Sequence, residues 1–360
     1  MDTTSWFAPN PYRLAQAEKE TGLLAGLNTL TQHHRNACPA YARIMKLTNA
    51  DQKPATCLEE VPFLPVSLFK QQLLRSVPEE EVFKTLTSSG TTGQAVSRIV
   101  LDQTTARRQI SALAAIIGHV IGAKRLPMLI VDTPSVVKNR TSFSARGAGV
   151  LGMMNFGRKH QYLLDDDMQL DHAALDAFLA EHGQAPFLIF GFTFMVWQHL
   201  YQAVRQRKPD LSQGILIHSG GWKKLQEIAV GNDAFKQALR DDCGLTRCYN
   251  FYGMVEQVGS VFLEGEDGFL YPPLFADVIV RDPYSWAPLP HGQEGLIEVL
   301  SLLPWSYPGH ALLTEDLGTI HGVDDGTCGR LGKRFSVKGR LPKAELRGCS
   351  DTHAKEFTLR

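Results

Sequence analysis

Three apolar stretches of similar length decide the fold class of this chain: FLIFGF at residues 187–192, GILIHSGG at 214–221 and RCYNFYG at 247–253. Each is short, rich in aromatic or branched residues and flanked by glycine or proline, as buried strands are. Apolar residues at helical spacing precede and follow the first stretch, at 171–182 and 194–207. This alternation predicts an α/β fold with mainly parallel sheets flanked by helices.

The two ends of the chain differ from this central part. Strand-like runs dominate after about residue 260, where DVIVRD, GLIEVLSL and RFSVKG predict a smaller antiparallel β region. At the other end, apolar residues recur at helical spacing from Tyr12 to Leu30, so residues 1–60 are predicted to be largely helical.

Composition and charge exclude several classes of protein. Lys and Arg number 37, as do Asp and Glu, so no basic excess indicates nucleic acid or an anionic membrane as the main partner. Of the 360 residues, 44% are hydrophobic and 21% charged, the profile of a soluble globular protein. The most apolar window, 185–197, is too short to span a bilayer, and residues 1–13 lack a secretory-signal pattern. We therefore expect a cytoplasmic protein without a membrane span.

The six cysteines show no CxxC spacing, which is consistent with a reduced compartment. Cys243 and Cys248 are close enough in sequence to share a metal. No second pair of ligands lies near them, so the spacing disfavours a structural zinc site.

The segment TSSGTTG at residues 87–93 follows a strand-like run and combines glycines with hydroxyl side chains. Glycine lets backbone amides approach an anion, and hydroxyls add donors to phosphate oxygens. The candidate phosphate-binding residues are Ser88, Ser89, Gly90, Thr91, Thr92 and Gly93. The segment lacks the Gly-Lys-Ser/Thr ending of a P-loop, and a flexible turn is the alternative interpretation.

Two further segments have residues suited to a nucleotide. In FYGMVE, Tyr252 is an aromatic that can stack on a base, and Glu256 offers hard oxygens to Mg²⁺. The alternative is a buried aromatic strand with a surface glutamate. In LTEDLG, Asp316 follows an apolar run and precedes an expected glycine turn, where a carboxylate can accept hydrogen bonds from ribose hydroxyls. Acidic turns are common, so this segment alone decides nothing.

Taken in order, the segments resemble the core motifs of the adenylate-forming superfamily, which includes acyl-CoA synthetases, peptide-synthetase adenylation domains and luciferases. The matching segments are SSGTTG, HSGGW, FYGMVE, LTEDLG and GRLPKAELRG. The resemblance implies the large-domain fold of that superfamily. It also implies that ATP phosphates lie over the first segment. Adenine would lie between Ser219, Gly220, Gly221 and Tyr252 with Gly253, and ribose against Asp316 and Arg340, with Mg²⁺ on Glu256.

A narrower resemblance is to LuxE-like acyl-protein synthetases, typified by the fatty-acid-activating subunit of the bacterial luminescence fatty-acid reductase. It is carried by VPFLPVSLFK at 61–70, TSSGTTG, FYGMVEQ and the RGCS at 347–350. It implies ATP-dependent activation of a carboxylic acid as acyl-AMP, with release of pyrophosphate. The acyl group would then pass to Cys349 as a thioester and onward to an acyl-CoA-reductase-like protein partner.

The chain departs from the broader superfamily in its C-terminal part. Val255 stands where the superfamily usually has threonine, and the hinge motif at Gly339 and Arg340 leaves only 20 residues. We therefore expect a large domain at 1–338, and at 339–360 a hinge remnant and a tail with Cys349. The catalytic lysine of the usual C-terminal domain is absent. Lys343 or Lys338, Mg²⁺ with loop amides, or a partner would have to supply the missing positive charge.

The acyl acceptor and the acyl pocket are the remaining expectations. Cys349 has the cationic neighbours Arg347 and Lys343, which favour the nucleophilic thiolate. Four aromatic residues between the phosphate and adenine segments are candidates for an acyl pocket, with ordinary core as the equal alternative: Phe190, Phe192, Phe194 and Trp197. Two other functions stay open: transfer to CoA or a carrier-protein thiol, and a non-catalytic nucleotide-binding subunit of a reductase.

Overall fold

The computed structural model describes residue 6 and residues 10–48, 53–88, 96–137, 145–221 and 230–341. The helices in this part are α1 (Gln16–Ala37), α2 (Pro39–Leu47), α3 (Leu68–Gln71), α4 (Gln103–Ile121), α5 (Ala145–Met154), α6 (His172–His182), α7 (Thr193–Met195), α8 (Gln202–Val204) and α9 (Asn232–Cys243). A π-helical segment, Val196–Tyr201, joins α7 to α8. The carboxylates of Asp102 and Asp171 cap α4 and α6 by accepting an amide hydrogen bond three residues on.

The strands form one large mixed sheet and one small antiparallel sheet. They are β1 (Leu64–Pro65), β2 (Lys84–Thr87), β3 (Arg98–Leu101), β4 (Leu126–Ile130), β5 (Gly157–Tyr162), β6 (Phe187–Phe192), β7 (Gly214–Ser219), β8 (Arg247–Tyr252), β9 (Phe262–Glu264), β10 (Leu270–Tyr271), β11 (Ala276–Arg281), β12 (Glu294–Ser301), β13 (Ala311–Val323) and β14 (Lys333–Arg340). The large sheet has the order β11-β12-β13-β14-β10-β9-β8-β7-β6-β4-β5, with β1 beside β13, and β2 pairs with β3.

The large sheet changes from parallel to antiparallel pairing at β8. Strands β5, β4, β6, β7 and β8 pair in parallel, whereas β8 and β9 pair antiparallel, as do the neighbours from β9 to β11. The predicted α/β fold with an antiparallel region after about residue 260 is therefore confirmed. The predicted helices in the first 60 residues correspond to α1 and α2.

Helices cover both faces of the parallel strands. On one face α5 contributes Val150 and Met153 to a core cluster that includes Ile130 and Phe190. On the other face α6 and the segment after β6 pack on a second cluster that includes Leu129 and Ile189. Two-sided burial explains why the parallel strands are continuous apolar runs, since neither face of such a strand meets water.

The segment LTEDLG departs from its expected local structure. A glycine turn was expected after Asp316, but β13 continues through this segment to Val323, with a register shift against β14 between Leu317 and Gly318. A Cβ atom at Gly318 would lie 2.5 Å from the Ser336 carbonyl oxygen and 2.6 Å from Ile297 Cδ1. Gly318 therefore allows close strand approach instead of a turn.

Buried histidines join α1 to the loop that follows β12. The His34 ring has Ser76 Oγ at 2.8 Å and the Pro304 carbonyl at 3.0 Å, and it stacks on His310 at a centroid distance of 5.0 Å. His310 Nε2 lies 3.0 Å from Thr31 Oγ1. Burial, and secondarily His33, lowers the pKa of His310 to about 3, so this ring is neutral in the folded protein at neutral pH.

Two further observations concern membranes and metals. Among the helices of the described part, none combines the length and apolar character needed to cross a bilayer. Cys243 and Cys248 are buried free thiols, and burial raises the pKa of each, to about 11 and about 12. No cluster of three metal-ligating side chains occurs within the ranges given above.

The neutral buried histidines predict acid sensitivity. Burial lowers the pKa of both His218 and His310 to about 3. As the pH falls below the ordinary value of about 6.5, the unfolded chain binds protons that the folded chain does not. The free energy of unfolding should then fall by about 1.4 kcal/mol per pH unit for each histidine. Urea denaturation between pH 7 and pH 4 should show a shallower pH slope for His310→Gln, whereas the exposed His291→Gln should keep the wild-type slope.

The close packing at Gly318 predicts a second effect on stability. Gly318→Ala should lower the free energy of unfolding by about 1–3 kcal/mol, because the added methyl group displaces β14. Gly118→Ala in α4 is the matched control, since nothing lies within 4 Å of its added Cβ. Thermal and urea denaturation measure both; equal stability of the two variants would contradict the close approach.

Candidate functional site

The parallel strands end in one row of residues at the carboxyl edge of the sheet. Phe192 at the end of β6 is in register with Ser219 at the end of β7, which is in register with Phe251 in β8. The Ser219 hydroxyl donates to the Phe251 carbonyl at 2.9 Å. In open α/β sheets, ligands bind outside the carboxyl ends of the strands, so this edge is the expected position of a nucleotide.

A buried histidine holds the ends of β6 and β7 together. His218 Nδ1 lies 2.9 Å from Thr193 Oγ1, and its ring lies 4.7 Å from that of Phe235. Burial, with a smaller effect of the Lys236 charge, lowers the pKa of His218 to about 3. This neutral His218–Thr193 pair was not predicted from the sequence, because its partners are 25 positions apart.

The glycine pair after β7 has the backbone geometry that a close approach requires. Gly220 has φ +85°, which disfavours any residue with a side chain. A Cβ there would lie 3.3 Å from Phe192 Cδ1, whereas nothing lies within 4 Å of a Cβ at Gly221. Ser219 is buried, whereas Gly220 and Gly221 are exposed, so the backbone of this glycine turn is accessible beside Phe192, at the place predicted for adenine.

Tyr252, the last residue of β8, forms a hydrogen bond with Asp316 in β13. The Tyr252 hydroxyl donates to Asp316 Oδ2 at 2.7 Å, and the Asp316 amide donates to Thr314 Oγ1 at 3.1 Å. Burial, reinforced by the adjacent Asp316 carboxylate, raises the pKa of Tyr252 well above its ordinary value. The phenol therefore remains a hydrogen-bond donor, and it fixes the orientation of the carboxylate.

Arg340 lies on the other side of Asp316. The two residues are paired in register between β13 and β14, and Arg340 Nε lies 4.0 Å from Asp316 Oδ1. The arginine side chain is 71% exposed and the aspartate side chain 23% exposed. Such a long, exposed ion pair contributes little to stability. Because both side chains are at least partly exposed, a ligand can reach both groups.

Glu256 lies in a 3-10 turn, Val255–Gln257, shortly after β8. It is buried, with 7% of its surface exposed. The neighbouring Gln257 donates from Nε2 to the Gly309 carbonyl at 3.0 Å, which anchors the turn. Within the described residues the Glu256 carboxylate has neither a hydrogen bond nor an ion pair. Its oxygens are not among the fully buried, unpartnered polar atoms of this part, so the carboxylate can be reached by a hard cation, which it is suited to bind.

The phosphate segment is described only at its first residue. Ser88 donates its amide to the Ser97 carbonyl at 3.1 Å, and its hydroxyl accepts from the Ser97 amide at 2.9 Å. These two bonds close the base of the segment between β2 and β3. Ser89, Gly90, Thr91, Thr92 and Gly93 lie outside the described residues, as do Lys343 and Cys349. Gly253 is exposed after β8.

The four aromatic residues proposed for the acyl pocket differ in burial and in the residues that they contact. Phe190 is fully buried and contacts Phe192 edge-on at a centroid distance of 5.9 Å. Trp197 stacks on Tyr201 at 4.6 Å, and Phe194 packs, like Trp197, against the second core cluster. Phe192 lies against the predicted adenine turn, 3.3 Å from a Cβ at Gly220, and the pocket assignment stays a prediction.

A buried ion pair at the carboxyl edge of the sheet was not predicted from the sequence. Asp132 follows β4 and is 1% exposed, with Arg146 Nε of α5 at 3.2 Å from its Oδ2. Its other oxygen accepts the Thr133 amide at 2.7 Å. Burial raises the pKa of Asp132, against the opposing effects of the Thr133 amide and Arg146. The signal available in the sequence was a carboxylate directly after a buried strand, in LPMLIVDTP.

A separate cavity of about 370 Å³ lies at the opposite ends of β13 and β14, between α1 and the antiparallel strands. Gln16, Ile320 and Lys333 line it. Lys333 is the first residue of β14 and Arg340 the last, so the cavity lies about 23 Å along the strand from the Asp316 site. It contributes nothing to the geometry described above.

Comparison with solved structures shows which proteins share this fold. 2-Hydroxyisobutyryl-CoA ligase in the postadenylation state, in complex with 2-HIB-AMP, superposes with a TM-score of 0.70 at 20% identity, over 92% of this chain and 70% of that one. An open conformation of the same enzyme with 2-HIB-AMP and CoA has a TM-score of 0.68 at 19% identity, over 93% and 78%. The fold is therefore that of adenylate-forming ligases, as predicted.

The family follows from the sequence comparison. The chain belongs to the family described as acyl-protein synthetase, LuxE, whose model matches residues 4–358. A long-chain-fatty-acid–luciferin-component ligase of Vibrio harveyi is 24% identical over 313 residues, which cover 84% of this chain and 80% of that protein. The enzyme of the same name from Aliivibrio fischeri is 22% identical over 299 residues, 81% and 78% of the two chains. The expected class, an ATP-dependent ligase, is confirmed.

The bond between Tyr252 and Asp316 predicts a measurable contribution to stability. Tyr252→Phe should lower the free energy of unfolding by about 1.5–3 kcal/mol, because a carboxylate loses its hydrogen-bond donor. Tyr284→Phe removes a hydroxyl from a side chain that is 95% exposed and should change nothing. Urea denaturation of both variants tests this, and an unchanged midpoint for Tyr252→Phe would show that the bond contributes nothing.

Proposed function

We propose that this protein activates a fatty acid with ATP, forming acyl-AMP and releasing pyrophosphate, and then transfers the acyl group to Cys349. The observation that carries the proposal is the Tyr252–Asp316 pair beside the Ser219 turn, at the carboxyl edge of the sheet in an acyl-protein synthetase. Both named relatives are long-chain-fatty-acid ligases by name, which supports a fatty acid as the substrate.

The nucleotide would lie along the carboxyl edge. Its adenine fits between the Ser219–Gly221 turn and Tyr252, where positive φ at Gly220 allows backbone to approach a flat ring. Its ribose hydroxyls would donate to Asp316, whose orientation the Tyr252 phenol holds. Arg340, exposed beside the same carboxylate, would contact the ribose, and the phosphates would extend toward residues 88–93.

Glu256 is the residue in the described part whose environment best fits Mg²⁺. The residue is largely buried, its carboxylate has no partner among the described residues, and a hard cation would neutralise it. When bound, the ion would offset charge on the phosphate oxygens as pyrophosphate leaves. Lys343, in the sequence that follows β14, would contribute a further positive charge to the phosphates.

The two chemical steps need no reagent besides the acid, ATP and the Cys349 thiolate. In the first, a carboxylate oxygen of the acid attacks the α-phosphorus of ATP; an oxygen–phosphorus bond forms and the bond to the pyrophosphate oxygen breaks. In the second, the Cys349 thiolate attacks the acyl carbonyl, AMP leaves and a thioester forms. An acyl-CoA-reductase-like partner would then receive the acyl group from Cys349.

The first test concerns Glu256. Glu256→Gln should lower fatty-acid-dependent ATP–pyrophosphate exchange by at least about 100-fold, because the neutral amide binds Mg²⁺ weakly. Raising the Mg²⁺ concentration should recover part of the loss. Glu266→Gln, at an exposed position in the β9–β10 turn, is the control and should exchange at the wild-type rate. Unaltered exchange in Glu256→Gln would remove its assignment.

The second test concerns the acceptor. Intact-mass spectrometry after incubation with ATP, Mg²⁺ and a panel of fatty acids should show the mass of one acyl group on the wild-type protein. The gain should vanish in Cys349→Ser and persist in Cys57→Ser, which alters an exposed free cysteine. AMP formation without a mass gain would instead assign the acceptor to CoA or a carrier-protein thiol.

A further inference from the structure

The carboxyl edge has a topological switch point between β4 and β6. These strands are neighbours and parallel, yet β4 leads through α5 to β5 on one side, whereas β6 leads to β7 on the other. The two connections therefore cross on opposite faces of the sheet and leave a crevice between them. Asp132 lies just beyond the end of β4, and Phe192 is the last residue of β6.

Arg146 projects from the first turn of α5 beside this crevice. Its Nε lies 3.2 Å from the buried Asp132 carboxylate, while 34% of its side chain is exposed. Within the described residues its two Nη groups have no acceptor. The contact is an ion pair without a hydrogen bond, since Asp132 Oδ2 has no hydrogen-bond donor. A guanidinium that lies beside one carboxylate and is open at its Nη groups can bind a second carboxylate in a two-point fork.

A chain of contacts connects Arg146 to the proposed adenylate site. Arg146 and Gly149 are three positions apart in α5, hence neighbours on one helix face. A Cβ at Gly149 would lie 3.1 Å from Phe192 Cζ, and one at Gly220 would lie 3.3 Å from Phe192 Cδ1. One aromatic ring thus separates the Arg146 helix face from the proposed adenine turn.

We infer that Arg146, held by Asp132, binds the carboxylate of the acid that is activated. The inference rests on the proposed function. Phe192 faces α5 at this point, in front of the fully buried Phe190, and would contact the first methylenes of the chain. Arg146 would orient the carboxylate so that one of its oxygens attacks the α-phosphorus. Asp132 is a positioning residue, since it acts through Arg146.

The groups facing Asp132 fit this assignment. Burial raises the pKa of Asp132, and the Thr133 amide, Arg146 and His199 oppose this effect. Burial, and secondarily the Asp132 carboxylate, raises the pKa of Tyr162 at the end of β5. The Arg146 guanidinium is the cation that lies between this carboxylate and the crevice. A purely structural pair would need no exposed, unpaired Nη groups.

The test compares an acid with its alcohol. In Arg146→Gln, the KM for dodecanoate in ATP–pyrophosphate exchange should rise about 10- to 100-fold, with the KM for ATP unchanged. The inhibition constant of dodecanol, which has the same chain without a carboxylate, should match wild type. Arg146→Lys should fall between the two, because it keeps the charge and loses the fork. Asp132→Asn should raise the KM for dodecanoate several-fold and leave the KM for ATP unchanged.

Arg158→Gln is the matched control. Arg158 lies near the start of β5, at the opposite edge, and donates to the Arg125 carbonyl at 3.2 Å. An unchanged dodecanoate KM in Arg146→Gln, or an equal rise for dodecanoate, dodecanol and ATP, would overturn the inference and leave the proposed function intact. If Arg146→Gln does not fold, as judged by thermal melting, the dodecanoate KM of Arg146→Lys tests the inference in its place. Absence of exchange in the wild type with octanoate, dodecanoate and hexadecanoate would remove both the proposed function and this inference.

Discussion

The parallel pairing of β4, β6, β7 and β8 is the constraint on which the site depends. Parallel strands end at one edge, so the chain must leave the sheet there repeatedly, and each exit exposes backbone groups and side chains to a common crevice. The apolar faces beneath this edge are covered by helices, which hold the strand ends rigid. Residues from segments far apart in sequence, such as Phe192, Ser219 and Tyr252, therefore lie side by side.

Two carboxylates at this edge, Asp132 and Asp316, have oppositely charged or hydrogen-bonding neighbours. Asp132 has Arg146, and Asp316 has the Tyr252 phenol on one oxygen with Arg340 near the other. These neighbours stabilise the two carboxylates, since an unpaired buried charge is strongly unfavourable. The Glu256 carboxylate has no such neighbour among the described residues, which supports its proposed role with a cation.

Much of the fold was predictable because local patterns specify it. The strands at 187–192 and 247–252 and the helices of the N-terminal 50 residues follow from apolar runs and their periodicity. The segment LTEDLG shows where such reasoning fails. Glycine after an acidic residue usually indicates a turn, but Gly318 lies within β13, where the approach of Ser336 excludes a larger side chain.

The sequence by itself determined the alternation of strands and helices, the order of the nucleotide motifs and the candidate residues in them, because these depend on composition and spacing along the chain. Only the tertiary structure decided which side chains meet. Tyr252 and Asp316 are 64 positions apart, and His218 and Thr193 are 25 apart; their bonds exist because strand order brings them to one edge. The Asp132–Arg146 pair has the same origin: no local pattern records which charge a buried carboxylate will meet, since packing of α5 against the sheet selects its partner.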